Sequence, residues 1–259
     1  MNIYYRKQTM TVLNDKEIEV LKGLRALNLQ GFATTLEQQF ENPKVFLKLT
    51  VDERIQACIN AQNIYNKEQR YASLKRSAKL TKNFSIGSLD MTRYSTIPAG
   101  VLADLSAGNW LHRTDNIIIA GQSGAGKTAL ACALGNLACQ FGYKTLMVRT
   151  DELLTKLKAM SPQEQIRYFM RLDKIHVLIL DDFLVLNRCD DEDIKLLYRL
   201  TDGRDAKVPT IYVTQFKKEG IIEALQSSLC ADGLKDRIVG PAHFIELESN
   251  IGRTPSAMF

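Results

Sequence analysis

The sequence predicts an α/β fold with a parallel central sheet, preceded by a small all-helical N-terminal domain. Three observations carry that prediction. Short apolar runs around Ile117, Leu146, Val177 and Ile211 are each bounded by polar or turn-forming residues, the mark of strands buried on both faces. Helix-forming segments alternate with these runs, as in a chain of βαβ units. Before residue 115 no run reads as a strand, while apolar residues recur at helical spacing.

Near the start, Ile18, Leu21, Leu24, Leu27 and Leu29 predict a helix, which Gly31 is expected to interrupt before Phe32, Leu36 and Phe40 resume the pattern. Thr50 with Glu53 three residues on is a capping-box signature, opening a helix that runs toward Tyr65. The most basic stretch follows: Lys67, Arg70, Lys75, Arg76, Lys79 and Lys82 face a single acid, Glu68. Helical spacing would set Lys75, Lys79 and Lys82 along one side, with Arg76 adjoining. Most charge runs are solvated helix faces, but this unbalanced sign favours contact with a phosphate backbone, making Arg70, Lys75, Arg76, Lys79 and Lys82 the candidate DNA contacts. Gly87, Ser88, Ser95, Pro98 and Gly100 suit a connector. The expected organisation is therefore a helical domain over 1–83, a linker over 84–98 and an α/β domain over 99–259. A short helix from Ala99 to Ala107 leads to Trp110, expected in the core.

Composition narrows the classes. Hydrophobic content of 45% and charged content of 24% are ordinary for a water-soluble globular chain. No apolar run is long enough to cross a bilayer, and the first residues lack the apolar core of a secretory leader. The five cysteines match no metal spacing; Cys132 and Cys139, seven apart on one helix, suit buried thiols in a reducing cytoplasm. His112, His176 and His243 stand apart from one another. A net charge of +5 is mild support for a polyanionic partner.

The chemistry concentrates in two places. After Ile117–Ile119 comes Gly121-Gln122-Ser123-Gly124-Ala125-Gly126-Lys127-Thr128, then a helix-forming run from Ala129. This is the phosphate-binding loop pattern, with strand, loop and helix in the required order. Its backbone N–H groups can cradle anionic oxygens, with Lys127 at the β- and γ-phosphates and the Thr128 hydroxyl on Mg²⁺. The chain is thus expected to bind a nucleoside triphosphate. Ser161-Pro162-Gln163-Glu164 opens a further helix. The run Val177–Leu180 then ends in Asp181-Asp182, where Asp181 would hold Mg²⁺ through water and Asp182 would orient the attacking water. Asp193 to Leu200 reads as a helix. Pro209–Gln215 reads as a strand whose end, Thr214 or Gln215, would face the γ-phosphate. A helix around Ile221 to Gln226 and a last strand near His243 to Leu247 complete the pattern. The 11 residues after Glu248 are too few for a helical lid, so a neighbouring subunit is expected to close the site.

Taken together, Gly121–Thr128, Val177–Asp182, Thr210–Gln215 and Leu234–Ile238 resemble the IstB family of insertion-sequence transposition helper ATPases. That family is kin to the DnaC helicase loaders and the DnaA initiator in the AAA+ superfamily. The likeness covers nearly the whole chain, including Leu21 to Gly31, the basic segment from Glu68 to Leu80, and the segment from Leu130 to Tyr143. The resemblance implies a three-layer AAA+ domain without a C-terminal helical lid. It also implies an ATP- and Mg²⁺-dependent binder of double-stranded DNA that forms homo-oligomers and recruits or stimulates an IstA-type DDE transposase. A helicase loader of the DnaC type is the alternative. By the same likeness Arg237 resembles the arginine finger that reaches a neighbour's γ-phosphate. Arg204 matches a further family arginine, and Arg253 a weaker one. Two positions depart from the pattern: Leu184 stands where many relatives carry Gly, and Asp182 where many AAA+ proteins carry Glu.

Overall fold

A computed structural model describes residues 13–184, 189–225, 229–240 and 242–248. Packing divides the chain into two compact units, one up to Ala72 and one from Ser73. Arg253 and the whole segment after Glu248 lie outside the described residues, as does Gln226.

The first unit is helical. α1 (Asp15–Ala26) starts at a capping box in which Asn14 and Glu17 exchange side-chain and backbone bonds. The break before α2 (Gln30–Glu41) falls at Leu27–Leu29, where Asn28 takes φ +61. Gly31, expected to interrupt, instead lies inside α2. A side chain there would sit 2.6 Å from the Ala61 carbonyl oxygen, so glycine is what lets α2 approach the next long helix. After the single turn α3 (Pro43–Phe46), Thr50 and Glu53 form the anticipated capping box and open α4 (Val51–Ser77). Two glutamines hold α2 to α4: Gln39 bonds the Arg54 carbonyl and guanidinium, and Gln62 accepts from the Phe32 N–H.

α4 continues well past Tyr65 but stops at Ser77, so Lys79 and Lys82 do not share a helix face with Lys75. The reason is tertiary. Ala78 is wholly buried and its carbonyl accepts from the Met147 N–H at 2.8 Å, after which Lys79 turns left-handed at φ +53. The chain leaves the helix to lie beside an edge strand.

The second unit is built on a five-stranded parallel sheet in the order β2-β3-β4-β1-β5. The strands are β1 (Asn116–Gly121), β2 (Thr145–Arg149), β3 (Val177–Asp181), β4 (Thr210–Thr214) and β5 (Ala242–Leu247). β1, β3 and β4 are buried almost throughout, as strands covered on both faces must be. Alternate residues serve opposite faces. Ile117, Ile119, Ile179, Ile211 and Val213 join one core with α5 (Ala99–Ala107) and α6 (Lys127–Gln140); Ile118, Leu178, Leu180 and Tyr212 join the other. That second face is covered by α7 (Thr150–Lys158), α8 (Pro162–Leu172), α9 (Asp191–Arg204), α10 (Lys218–Ala224) and α11 (Leu229–Val239). α8 begins at the expected Ser161–Glu164 capping box. α7 was not anticipated: Leu153, Leu154 and Leu157 give it only a narrow buried stripe. Residues 84–98, expected to link domains, place Leu89, Tyr94 and Ile97 in the first core. Trp110 is buried there too, its indole N–H donating to the Leu105 carbonyl.

Candidate nucleotide site

The site sits where β1 and β3 end. β1 runs into the loop Gly121–Gly126, and α6 begins at Lys127. Gln122, Ser123 and Gly124 are exposed, whereas Ala125 is anchored in the core. Gly126 caps α6 at φ +95, a conformation that L side chains rarely adopt. A Cβ on it would also meet the Tyr94 hydroxyl at 2.8 Å. Tyr94, from a 3-10 turn at Met91–Tyr94, donates to the Gly126 carbonyl at 3.1 Å and so braces the loop from behind. No sequence pattern marks that contact, because 32 residues separate the partners.

Lys127 is buried, and its ammonium donates to the Gln122 carbonyl across the loop at 2.9 Å. Burial lowers its pKa, against the pull of Asp182 and Asp181. The Thr128 hydroxyl donates to the Asp181 carboxylate at 3.2 Å, bridging two residues 53 apart in sequence. Burial and the neighbouring Asp182 push the Asp181 carboxyl up, opposed by bonds from the Asp182 backbone and Thr128. The Thr150 hydroxyl donates to the Asp181 carbonyl, fixing the end of β3.

A hydroxyl and a buried carboxylate, both hard oxygen donors, fit Mg²⁺, which keeps waters and phosphate oxygens in its remaining positions. Burial makes the carboxylate's charge costly, a cost that a divalent cation relieves. Among the described residues no cluster of three or more carboxylates, histidines or cysteines gathers elsewhere as a metal cage.

Asp182 follows in a left-handed turn at φ +51, and Leu184 repeats that conformation at φ +64. The turn is clamped to β4: the Phe183 N–H donates to the Val213 carbonyl at 2.7 Å, and the Phe183 carbonyl accepts from the Thr214 hydroxyl at 2.8 Å. Thr214 was expected to face the γ-phosphate. It is instead wholly buried, and its hydroxyl, which also accepts from the Phe216 N–H, holds the turn that presents Asp182. Gln215 beside it is the exposed polar residue at the end of β4. A further residue that motif reading missed, Arg149 at the end of β2, pairs with Asp182 at 3.5 Å and with Asp151 at 3.2 Å.

The two arginines differ sharply. Arg204, only 2% exposed, donates to the carbonyls of Leu172, Ile175, His176 and Pro209 and to the Thr210 hydroxyl. Burial lowers its pKa to about 10, so it stays charged at neutral pH. It is a clamp within the fold. Arg237 lies on α11, and its carbonyl accepts from the side chain of Asn116, the first residue of β1. That is the end of the strand opposite the phosphate loop, roughly 17 Å along five residues. Its guanidinium pairs with Asp202 at 2.9 Å, stacks over Tyr198, and faces Asp205 at 3.9 Å through a buried Nε that lacks a hydrogen bond. Of the basic candidates, Arg70, Arg76, Lys79 and Lys82 are exposed and Lys75 is half-buried.

With β4 set between the strand that ends in the phosphate loop and the strand that ends in paired acids, the second unit has the architecture of the AAA+ P-loop ATPases. Solved structures agree on that fold. DnaI matches with a TM-score of 0.52 and 22% identity, over 64% of this chain and 88% of its own. AMPPCP-bound DnaA from Aquifex aeolicus matches with a TM-score of 0.52 and 18% identity, over 66% of this chain and 51% of its own. More particularly, the chain belongs to the family of IstB-like ATP binding proteins, whose model matches residues 22–256. It is 34% identical over 197 residues to the insertion sequence IS1162 ATP-binding protein of Pseudomonas fluorescens, covering 75% of this chain and 84% of that one. An insertion sequence ATP-binding protein of Sinorhizobium fredii is 28% identical over 228 residues, covering 88% and 91%.

Proposed function

We propose that this protein is a cytoplasmic helper ATPase of an insertion sequence. In this reading it binds double-stranded DNA when charged with ATP, assembles with further copies of itself, and recruits or activates an IstA-type DDE transposase. The observation that carries the nucleotide chemistry is the meeting of Thr128 and Asp181 beside buried Lys127. The backbone of Gly121 to Gly126 receives the phosphates, and Lys127 neutralises their outer charge. Thr128 and Asp181 would hold Mg²⁺, which when bound would offset the charge gathering on the phosphate oxygens. Asp182 orients a water toward the γ-phosphorus and accepts its proton. The β–γ bridging bond then breaks, leaving ADP and inorganic phosphate.

Arg237 acts in trans in this scheme. It is too far along the sheet to serve its own loop, and its ion pair with Asp202 is exposed enough to exchange for a neighbour's γ-phosphate. DNA phosphates engage Arg70, Lys75, Arg76, Lys79 and Lys82. Family membership and the insertion-sequence relatives support the transposition setting over the helicase-loader alternative.

The test compares wild type, Lys127→Ala and Arg237→Ala for ATP binding, hydrolysis and assembly state, with and without duplex DNA. Lys127→Ala is expected to lose nucleotide affinity. Arg237→Ala should bind ATP normally yet hydrolyse it about 10³-fold more slowly, without ATP-promoted assembly. A wild-type chain that stays monomeric on DNA at saturating ATP would sink the proposal. So would capture of a replicative helicase instead of the transposase.

A further inference from the structure

Where α9 meets α11, a second charged cluster lies away from the phosphate loop. Tyr198 and Asp202 stand one turn apart on α9, and Gly233 and Arg237 one turn apart on α11, so each pair shares a helix face. The Arg237 guanidinium lies over the Tyr198 ring, 4.6 Å from its centre, and its Nη1 donates to the Gly233 carbonyl at 3.0 Å. Gly233 makes the room: a Cβ there would sit 2.9 Å from the Tyr198 ring and 3.1 Å from Nη1. Nη2 donates to Asp202 at 2.9 Å, and the Asp202 side chain is 57% exposed against 24% for Arg237. Nε faces Asp205 at 3.9 Å, buried and without a hydrogen bond.

We propose that Tyr198 and Asp202 are positioning residues for Arg237. The ring holds the guanidinium in place, and the Asp202 carboxylate is a placeholder that a neighbouring chain's γ-phosphate replaces. The inference rests on the reading that Arg237 acts in trans. An arginine serving only the fold has surroundings like those of Arg204, whose guanidinium bonds four carbonyls and a hydroxyl. Arg237 instead offers an open donor and a pair with an exposed carboxylate. Its contacts divide accordingly. The stack on Tyr198 and the bond to Gly233 persist, while Nη2 alone changes partner. A phosphate brings more charge than a carboxylate and several oxygens, so it wins that exchange once a neighbour presents it. Until then Asp202 competes for the guanidinium, and assembly needs a higher protein concentration than it would without that carboxylate. The competition is modest, because exposed ion pairs are weak.

The experiment measures ATP hydrolysis per chain against protein concentration, for the full chain at saturating ATP, Mg²⁺ and random-sequence duplex. If the wild-type rate does not rise with concentration, or Arg237→Ala keeps that rise, the in-trans reading falls and this inference with it. If the rise is present and needs Arg237, Asp202→Asn should reach its half-maximal rate at a concentration about two- to fivefold lower than wild type. A midpoint unchanged or raised overturns the inference alone. Asp202→Glu, which keeps the charge, should stay with wild type; a shift equal to that of Asp202→Asn overturns the placeholder role. Adding Asp202→Asn to Arg237→Ala should change nothing further, and a shift that survives without Arg237 overturns the inference, because Asp202 would then act by another route. Tyr198→Leu should lower the maximal rate of the assembled protein about two- to fivefold with KM for ATP kept, and Tyr198→Phe, which retains the ring, should restore it. A wild-type maximal rate in Tyr198→Leu overturns the role given to the ring.

Discussion

At the scale of single residues, the turn after β3 shows how one position can hold two opposed effects. Leu184 sits at φ +64, where a side chain costs about 1–2 kcal/mol, yet it is buried in the second core. Burial of a leucine is worth about 1.5–3 kcal/mol, so packing outweighs strain at this position. Both Leu184→Gly and Leu184→Ala should therefore destabilise. Glycine should be the milder by about 1 kcal/mol, in urea denaturation, because it alone relieves the backbone; alanine as the milder would refute the strain. Asp181 makes a second case. Its carboxyl titrates above the ordinary value, so the native state holds its proton more firmly than the unfolded chain does. Its contribution to stability is thus lost as pH rises through the folded pKa, and ionised Asp181 opposes folding at neutral pH. Asp181→Asn should melt higher than wild type near pH 7 without Mg²⁺, and the gap should close toward pH 3. Mg²⁺ with nucleotide should raise the melting temperature of wild type more than that of the variant.

Between elements, close approach decides what sequence periodicity leaves open. Gly31 reads as a helix breaker, yet it lies within α2 because α4 passes against its bare Cα. Gly31→Ala would favour an isolated helix by about 1 kcal/mol but force α2 and α4 apart. A net loss of helical signal and a lower melting temperature are expected by circular dichroism; a more stable variant would refute the packing argument. The Tyr94 hydroxyl plays a similar part for the phosphate loop. Tyr94→Phe removes one bond to Gly126, worth about 1 kcal/mol, and should weaken ATP binding by about fivefold in a calorimetric titration while leaving the fold intact. Capping boxes at Thr50 and Ser161 were readable in advance because their partners lie three residues apart. The end of α4 was not, because its cause is a bond from Met147 to Ala78.

For the whole molecule, every described residue of the nucleotide site comes from the second unit. A fragment beginning at Ser73 should fold by itself and bind ATP with the affinity of the full chain; an unfolded fragment would show that the unit is not autonomous. Within that unit Arg204 joins the chain after α8 to the start of β4, satisfying four carbonyls and a hydroxyl. Arg204→Met should cost about 3–5 kcal/mol, since the acceptors would be left buried without donors. ATP affinity in the remaining folded protein should be preserved. The sequence by itself determined the parallel α/β architecture, the phosphate loop and the acidic end of β3, because each is written in contiguous residues whose local geometry and chemistry suffice. Tertiary structure alone decided that Arg204 is a buried clamp, that Thr214 braces a turn, that Lys79 leaves its helix and that Arg149 meets Asp182. Those roles depend on partners distant in the chain, and no local pattern encodes which carbonyl or carboxylate folding will bring within reach.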